Sequence, residues 1–274
     1  MKTYSVVMLD IDGTLVDSNM QISVNTTKLL DRLQKRGIPV VLCSGRDPRG
    51  VELVEQQAGL NSPIVCYSGG LILDTDRSIL KDTGIVTDDA IRFKQFTAKE
   101  FPDISTSTYM YEIWLADTIA DPNIQLLMAR NQCEPVVGDL KAALQGVPHV
   151  HKLLCAGTPK KIQQLQDIAA QKFPDLEFAR SGSIFLEVLP KTSSKLTAME
   201  LICDHYHVDA EQVVAIGDYY VDIEMIQHAG LGIAMGNAPD AVKQAAVRVT
   251  ASNDEEGVYI ALKTLKYTAP DVDQ

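Results

Sequence analysis

Near its start the chain carries four consecutive apolar residues, Val6-Val7-Met8-Leu9, that run directly into Asp10 and Asp12. A continuous apolar run of this length predicts a strand buried on both faces of a parallel sheet, where helices on each side remove the usual polar alternation. Ser23 then offers a helix cap, Leu29, Leu30 and Leu33 fall on one face at helical spacing, and Gly37 ends the segment. Ile38–Cys43 reads as a second buried strand, Val51–Ala58 as a helix stopped by Gly59, and Ile64–Tyr67 as a third strand. The rhythm returns late in the chain. Val213–Ile216, Leu231–Ala234 and Val247–Thr250 read as strands, with helices over Val221–Ala229 and Asp240–Ala245 between them. Regular alternation of this kind predicts an α/β fold with a doubly wound, Rossmann-like parallel sheet.

The middle follows another pattern. Ile104–Tyr109, Glu112–Leu115, Val150–Cys155 and Ile184–Leu189 are β-branched or aromatic in character and predict strands. Helical stretches lie near Asp88–Phe101 and Pro159–Phe173. The expectation is an α+β cap inserted over residues 83–188, with a core domain assembled from residues 1–82 and 189–274.

Composition narrows the function. The 274 residues are 46% apolar and 22% charged, which excludes a disordered or collagenous chain. No apolar run approaches the roughly 20 residues of a membrane span, and the opening residues lack the longer apolar core of a signal peptide. Twenty-five basic against 36 acidic residues, a net charge of −11, opposes nucleic acid and anionic membrane as partners. An anionic small molecule still fits if a metal or a few local cations dominate its site. Five widely spaced cysteines with no CxxC predict reduced thiols and a cytoplasmic setting. Nothing in the pattern fixes the oligomeric state.

Four segments carry chemistry, each at a predicted strand end or helix start. Asp10-Ile11-Asp12-Gly13-Thr14-Leu15 follows the first strand, where open α/β sheets bind ligands. A carboxylate there can attack phosphorus, and a second one can protonate the leaving oxygen and then activate water; two turn aspartates capping a helix would look the same. Ser44-Gly45-Arg46 offers a hydroxyl and backbone N–H groups to a phosphate, while Arg46 could bind phosphate or pair with an acidic neighbour. Lys195 enters a helix, an unfavourable place for a cation unless an anion is held there. Asp218 and Asp222 could face one pocket, where carboxylates suit Mg²⁺, or could simply favour a helix N-terminus. Gathered at one sheet edge, Asp10, Asp12, Asp218 and Asp222 would bar a phosphate unless Mg²⁺, Lys195 and backbone donors reversed the field.

The ordered set resembles the haloacid dehalogenase superfamily, in particular Cof-type phosphatases with a large inserted cap. Asp10-Ile11-Asp12-Gly13-Thr14-Leu15 is similar to their first motif, Ser44-Gly45-Arg46 to the second, Lys195 to the third and Gly217-Asp218 with Asp222 to the fourth. Gly236-Asn237-Ala238 and Asn253–Val258 are similar to their closing segments. The resemblance implies Asp10 as nucleophile, Asp12 as acid and base, and Mg²⁺ on Asp10, the Asp12 carbonyl and Asp218, with Asp222 supporting the metal shell. It implies Ser44, Gly45 and Lys195 around the phosphate, with Arg46 a further candidate there from its own chemistry. The chain departs from the family pattern at Val221, where members usually carry Asn, and at Ser68, Thr192 and Leu196.

The expected activity is hydrolysis of a small phosphorylated metabolite through an aspartyl-phosphate. A phosphomutase and a phospholigand-binding module are the rivals. Within the inserted module, Tyr109, Tyr111, Glu112, Trp114 and His151 are the candidate substrate contacts, although strand alternation alone can align such residues. His149 and His151 share a strand face as two metal ligands would, but no third ligand of fixed spacing accompanies them.

Overall fold

Unbroken apolar strands need sheet neighbours on both sides and helices on both faces, and Val6–Leu9 lies in such a place. In the computed structural model, which describes residues 2–131 and 133–270, this strand is fully buried and pairs in parallel with Val213–Gly217 on one side and Val40–Cys43 on the other. The sheet has eight strands in the order Arg248–Val249, Leu231–Ala234, Val213–Gly217, Val6–Leu9, Val40–Cys43, Ile64–Cys66, Leu71–Leu73 and Ile79–Asp82. Its parallel members, numbered by appearance in the chain, read 6-5-4-1-2-3, the doubly wound order. Strand order therefore reverses between Val6–Leu9 and Val213–Gly217, and a crevice opens at their carboxyl ends.

Local chemistry fixes the helices. Ser23 accepts the N–H of Thr26 to cap Val24–Lys35, and Gly37 follows with φ of +72°. Asp47 accepts the N–H of Gly50 to cap Pro48–Ala58, whose first position is the proline that needs no donor there. Ser194 and Thr197 exchange side-chain bonds at the start of Lys195–Tyr206. This helix packs Ala198, Met199 and Ile202 on Met8, Val41 and Ala215, which fixes Lys195 relative to the strand ends. The predicted helix Val221–Ala229 begins instead as a tight 3₁₀ turn, Tyr220–Asp222, and continues as Ile223–His228.

Cα packing divides the chain into two compact units, Met1–Lys81 with Ser194–Gln274, and Asp82–Ser193. The second unit contains a six-stranded sheet in the order Val136–Val137, Ile113–Ala116, Ser105–Met110, Lys152–Ala156, Phe185–Pro190 and Leu176–Arg180. Helices Thr87–Glu100 and Pro159–Lys172 bury Phe93, Phe96, Ile162 and Leu165 against Met110, Leu153, Cys155 and Val188 of this sheet. Val150–Cys155 is not one strand. His149–Val150 pairs antiparallel with Ile85–Val86, a bend at His151 follows, and Lys152–Ala156 joins the larger sheet. Among the described residues, no helix is long and apolar enough to cross a membrane.

Candidate active site

Parallel register brings the motifs together. Leu9 pairs with Ile216 and with Leu42, so Asp10, Asp218 and Ser44 leave three adjacent strands at the same sheet edge. The N–H of Asp10 still donates to the Ile216 carbonyl at 3.0 Å, continuing the ladder one residue past the strand. Gly13 turns the chain with φ of +80°, and a Cβ there would fall 2.4 Å from Oδ2 of Asp218. Only glycine allows the loop after Asp12 to close on Asp218.

Lys195 is the centre of charge. Its Nζ lies 2.5 Å from Oδ1 of Asp10 and 2.6 Å from Oδ1 of Asp222, and its side chain is 1% exposed. The other oxygen of Asp222 accepts the N–H groups of Asp218 and Tyr219, at 3.0 and 2.9 Å. Asp218 accepts the hydroxyl of Thr14 at 3.1 Å on Oδ1 and the amide of Asn237 at 3.3 Å on Oδ2. That same amide donates to the Gly13 carbonyl at 2.8 Å, and Asn237 Oδ1 accepts the N–H of Asn253. Asp12 turns elsewhere: Nε and Nη2 of Arg46 hold its two oxygens at 2.8 and 2.6 Å. The hydroxyl of the buried Ser44 accepts the N–H of Arg46 at 3.2 Å, and Gly45 forms the turn between them.

The electrostatics are those of a site short of positive charge. Burial raises the Asp10 carboxyl well above its ordinary value; Lys195 opposes this, and Asp222 and Asp218 add to it. Burial and then the Asp222 charge push Asp218 up to about 6. Burial works against the Lys195 ammonium, but Asp10 and Asp222 outweigh it and hold the group well above the usual lysine value. Asp10, Asp218 and Asp222 each offer an oxygen within 4.8 Å of the others, so three buried carboxylates face one ammonium. A hard divalent cation on oxygen donors fits that imbalance. Asp10, Asp218 and Asp222 are the residues whose oxygens could hold such an ion.

The structure thus gathers Asp10, Asp12, Ser44, Arg46, Lys195, Asp218 and Asp222 in the first unit. Thr14 and Asn237 hold Asp218, a part that local spacing did not reveal, since Asn237 is 19 residues away in the chain. Val221 lies on the 3₁₀ turn and is 36% exposed.

In the second unit the five candidate contacts separate. Tyr109 pairs across the sheet with both Lys152 and Trp114, on the face opposite the helices. The Tyr109 and Trp114 rings are stacked, with centroids 5.9 Å apart, and Lys152 Nζ lies 5.1 Å from the Tyr109 ring. Tyr111 and Glu112 form the hairpin turn. His151 is fully buried against Asp82 and Tyr111.

A doubly wound sheet with buried carboxylates at its switch point, and an α+β unit inserted in the chain, is the architecture of a haloacid dehalogenase-like hydrolase. The chain belongs to the haloacid dehalogenase-like hydrolases, whose family model matches residues 7–262. It is 32% identical, over 94% of its length and 96% of the relative, to the Bacillus subtilis 5-amino-6-(5-phospho-D-ribitylamino)uracil phosphatase YitU. Its fold is similar to a haloacid dehalogenase-like hydrolase from Bacteroides thetaiotaomicron, with a TM-score of 0.86, 28% identity and coverage of 95% and 99% of the two chains. A second B. thetaiotaomicron structure, the superfamily phosphatase BT1666, is similar with a TM-score of 0.81 and 26% identity over 95% and 94%. Family and relatives make this chain an enzyme of the phosphatase class.

Proposed function

We propose that the protein hydrolyses a phosphate monoester of a small metabolite in two displacements at Asp10, with Mg²⁺ as cofactor. The observation that carries this reading is the buried Asp10–Lys195–Asp222 array beside Asp218, with Asp12 held by Arg46 at the same sheet edge. Lys195 keeps Asp10 fixed and offsets its charge, so that one carboxylate oxygen can attack phosphorus while the P–O bond to the alcohol breaks. Asp12 delivers a proton to that leaving oxygen. It then takes a proton from a water molecule that attacks the Asp10-bound phosphorus, and the P–O bond to Asp10 breaks.

Arg46 occupies both oxygens of Asp12, so proton transfer requires one of these bonds to open. The partial exposure of Asp12 (42% of its side chain) leaves room for that. Ser44, the Gly45 backbone, Arg46 and Lys195 are the donors proposed for the phosphate oxygens. Asp10, the Asp12 carbonyl and Asp218 would hold Mg²⁺, which supplies positive charge between the carboxylates and the phosphate.

The likeness to a phosphatase named for a phosphoribityl-aminouracil supports a metabolite of sugar-phosphate or cofactor-precursor type. Discrimination among such substrates is assigned to the inserted unit. The face bearing Tyr109 and Trp114 also carries Ser107, paired with Leu154 in the same register. The Ser107 hydroxyl and the Trp114 indole N–H are both buried without a hydrogen-bond partner, as donors kept for a polar ligand would be. A phosphate-release screen over sugar phosphates and cofactor-precursor phosphates with Mg²⁺ tests the reading, with Asp10→Asn as control. A soluble, folded Asp10→Asn enzyme that still turned over would refute the covalent route.

A further inference from the structure

His149 and His151 stand two apart in the chain, on either side of Val150, and the fold supplies the third group that their spacing lacks. Asp82, 67 residues from His149, brings Oδ1 to 2.7 Å from His149 Nε2 and to 2.9 Å from His151 Nε2. The hydroxyl of Tyr111 lies 2.7 Å from the other Asp82 oxygen. Gly84 lets this happen: a Cβ there would lie 2.4 Å from both His149 Cδ2 and the Val150 carbonyl oxygen. His151 is fully buried, while the His149 and Asp82 side chains are 17% and 24% exposed, so the cluster opens to solvent on one side.

We propose that Asp82, His149 and His151 form a second metal site, one for a borderline transition ion such as Zn²⁺. The three ligand atoms lie within 4.8 Å of one another. Two imidazoles and one carboxylate are a donor set that zinc favours and that Mg²⁺, with its preference for oxygen, does not. Three protein ligands leave a fourth position for water or the Tyr111 oxygen. The site is independent of the phosphatase chemistry assigned to Asp10.

Loading has a consequence for Tyr111. Its N–H donates to His151 Nδ1 at 3.1 Å, so without metal His151 carries its hydrogen on Nε2 and donates to Asp82. A metal on Nε2 moves that hydrogen to Nδ1, where it cannot face an amide N–H. The Tyr111 turn must therefore rearrange. Tyr111 sits at φ of +49°, a conformation a tyrosine holds only under local constraint, so the turn is poised to move once the bond to His151 is lost. Trp114, the one tryptophan of the chain, stacks on Tyr109 in the same hairpin and reports such a movement.

The test is a Zn²⁺ titration of the full chain in excess Mg²⁺, read by calorimetry and by tryptophan fluorescence, for the wild type, His149→Ala and Asp82→Asn. The wild type is expected to bind one zinc more than either variant, or to bind it more than about tenfold tighter, with a fluorescence change complete at that equivalent. Equal stoichiometry and affinity in all three proteins overturns the site. Zinc uptake with unchanged Trp114 emission overturns the coupling to Tyr111. Should both variants fail to fold, X-ray absorption on the zinc-loaded wild type decides. Imidazole nitrogen in the shell supports the site, and a shell of oxygen or sulfur alone refutes it.

Discussion

Replacing Lys195 with methionine keeps the aliphatic stem and removes the charge that two buried carboxylates share. In the native protein the ammonium sits 2.5 Å from Asp10 and 2.6 Å from Asp222, and the three side chains are 1%, 10% and 0% exposed. Breaking one partner out of a buried charged array costs about 3–5 kcal/mol, because the remaining charges are neither solvated nor paired. For a protein of this size each kcal/mol moves the melting temperature by about 2–4 °C, which places the Lys195→Met deficit at roughly 6–20 °C near neutral pH.

The sign of its pH dependence follows from the acids left behind. Burial already raises Asp10, and loss of Lys195 raises it further. A carboxyl whose folded value lies above its unfolded value favours the fold below the unfolded value, and that advantage is lost as pH rises through the folded one. The deficit should therefore be largest near pH 8 and shrink toward pH 5, and Mg²⁺ should recover part of it by supplying charge. Melting curves of both proteins across this range, with chelator and with Mg²⁺, read the effect. A deficit below about 1 kcal/mol at pH 7.5, the scale of an exposed ion pair, would refute the argument. An equal deficit at pH 5 and pH 8 would assign it to packing instead.

Three further outcomes are expected. With Asp218 pushed up to about 6 in the metal-free site, protons compete with Mg²⁺, so the metal's dissociation constant should rise up to about tenfold per unit below pH 6; calorimetric titration at pH 5 and 7.5 giving one affinity would exclude Asp218 as a ligand. Gly13→Ala places a methyl 2.4 Å from Asp218 Oδ2 at φ of +80°, and should lower stability by about 1–3 kcal/mol and weaken Mg²⁺ binding together; a variant with wild-type melting and metal affinity would show that the loop adjusts freely. Val221→Asn adds a donor at the 36%-exposed turn after Asp218, and kcat/KM on an aryl phosphate should rise, by up to about a hundredfold for a full charged hydrogen bond; no gain on that substrate or on the best screen hit would reject the missing-donor account.

The parts legible in the sequence are those in which one local rule acts alone. Val6–Leu9 and Val213–Gly217 are continuous apolar runs that only a doubly covered parallel sheet can bury, so the core architecture and the edge carrying Asp10 and Asp218 follow from pattern. Ser23 and Gly37 bracket a helix by capping and left-handed geometry, which are equally local. The strands Leu71–Leu73 and Ile79–Asp82 carried no such signal, being short and, in the second, partly exposed, and their pairing is set by neighbours.

Side-chain partnership is where tertiary structure decided. Arg46 could meet a phosphate or an acidic neighbour, and only the fold supplies the neighbour, Asp12, 34 residues away in the chain. Lys195 at a helix start is locally unfavourable; the fold brings Asp10, 185 positions away in the chain, under it. Val150–Cys155 reads as one strand by residue type, yet it bends at His151, whose two ring nitrogens meet Tyr111 and Asp82. Period and cap are written within a few residues, whereas the partner of a buried charge or imidazole depends on which distant strand ends the fold sets side by side.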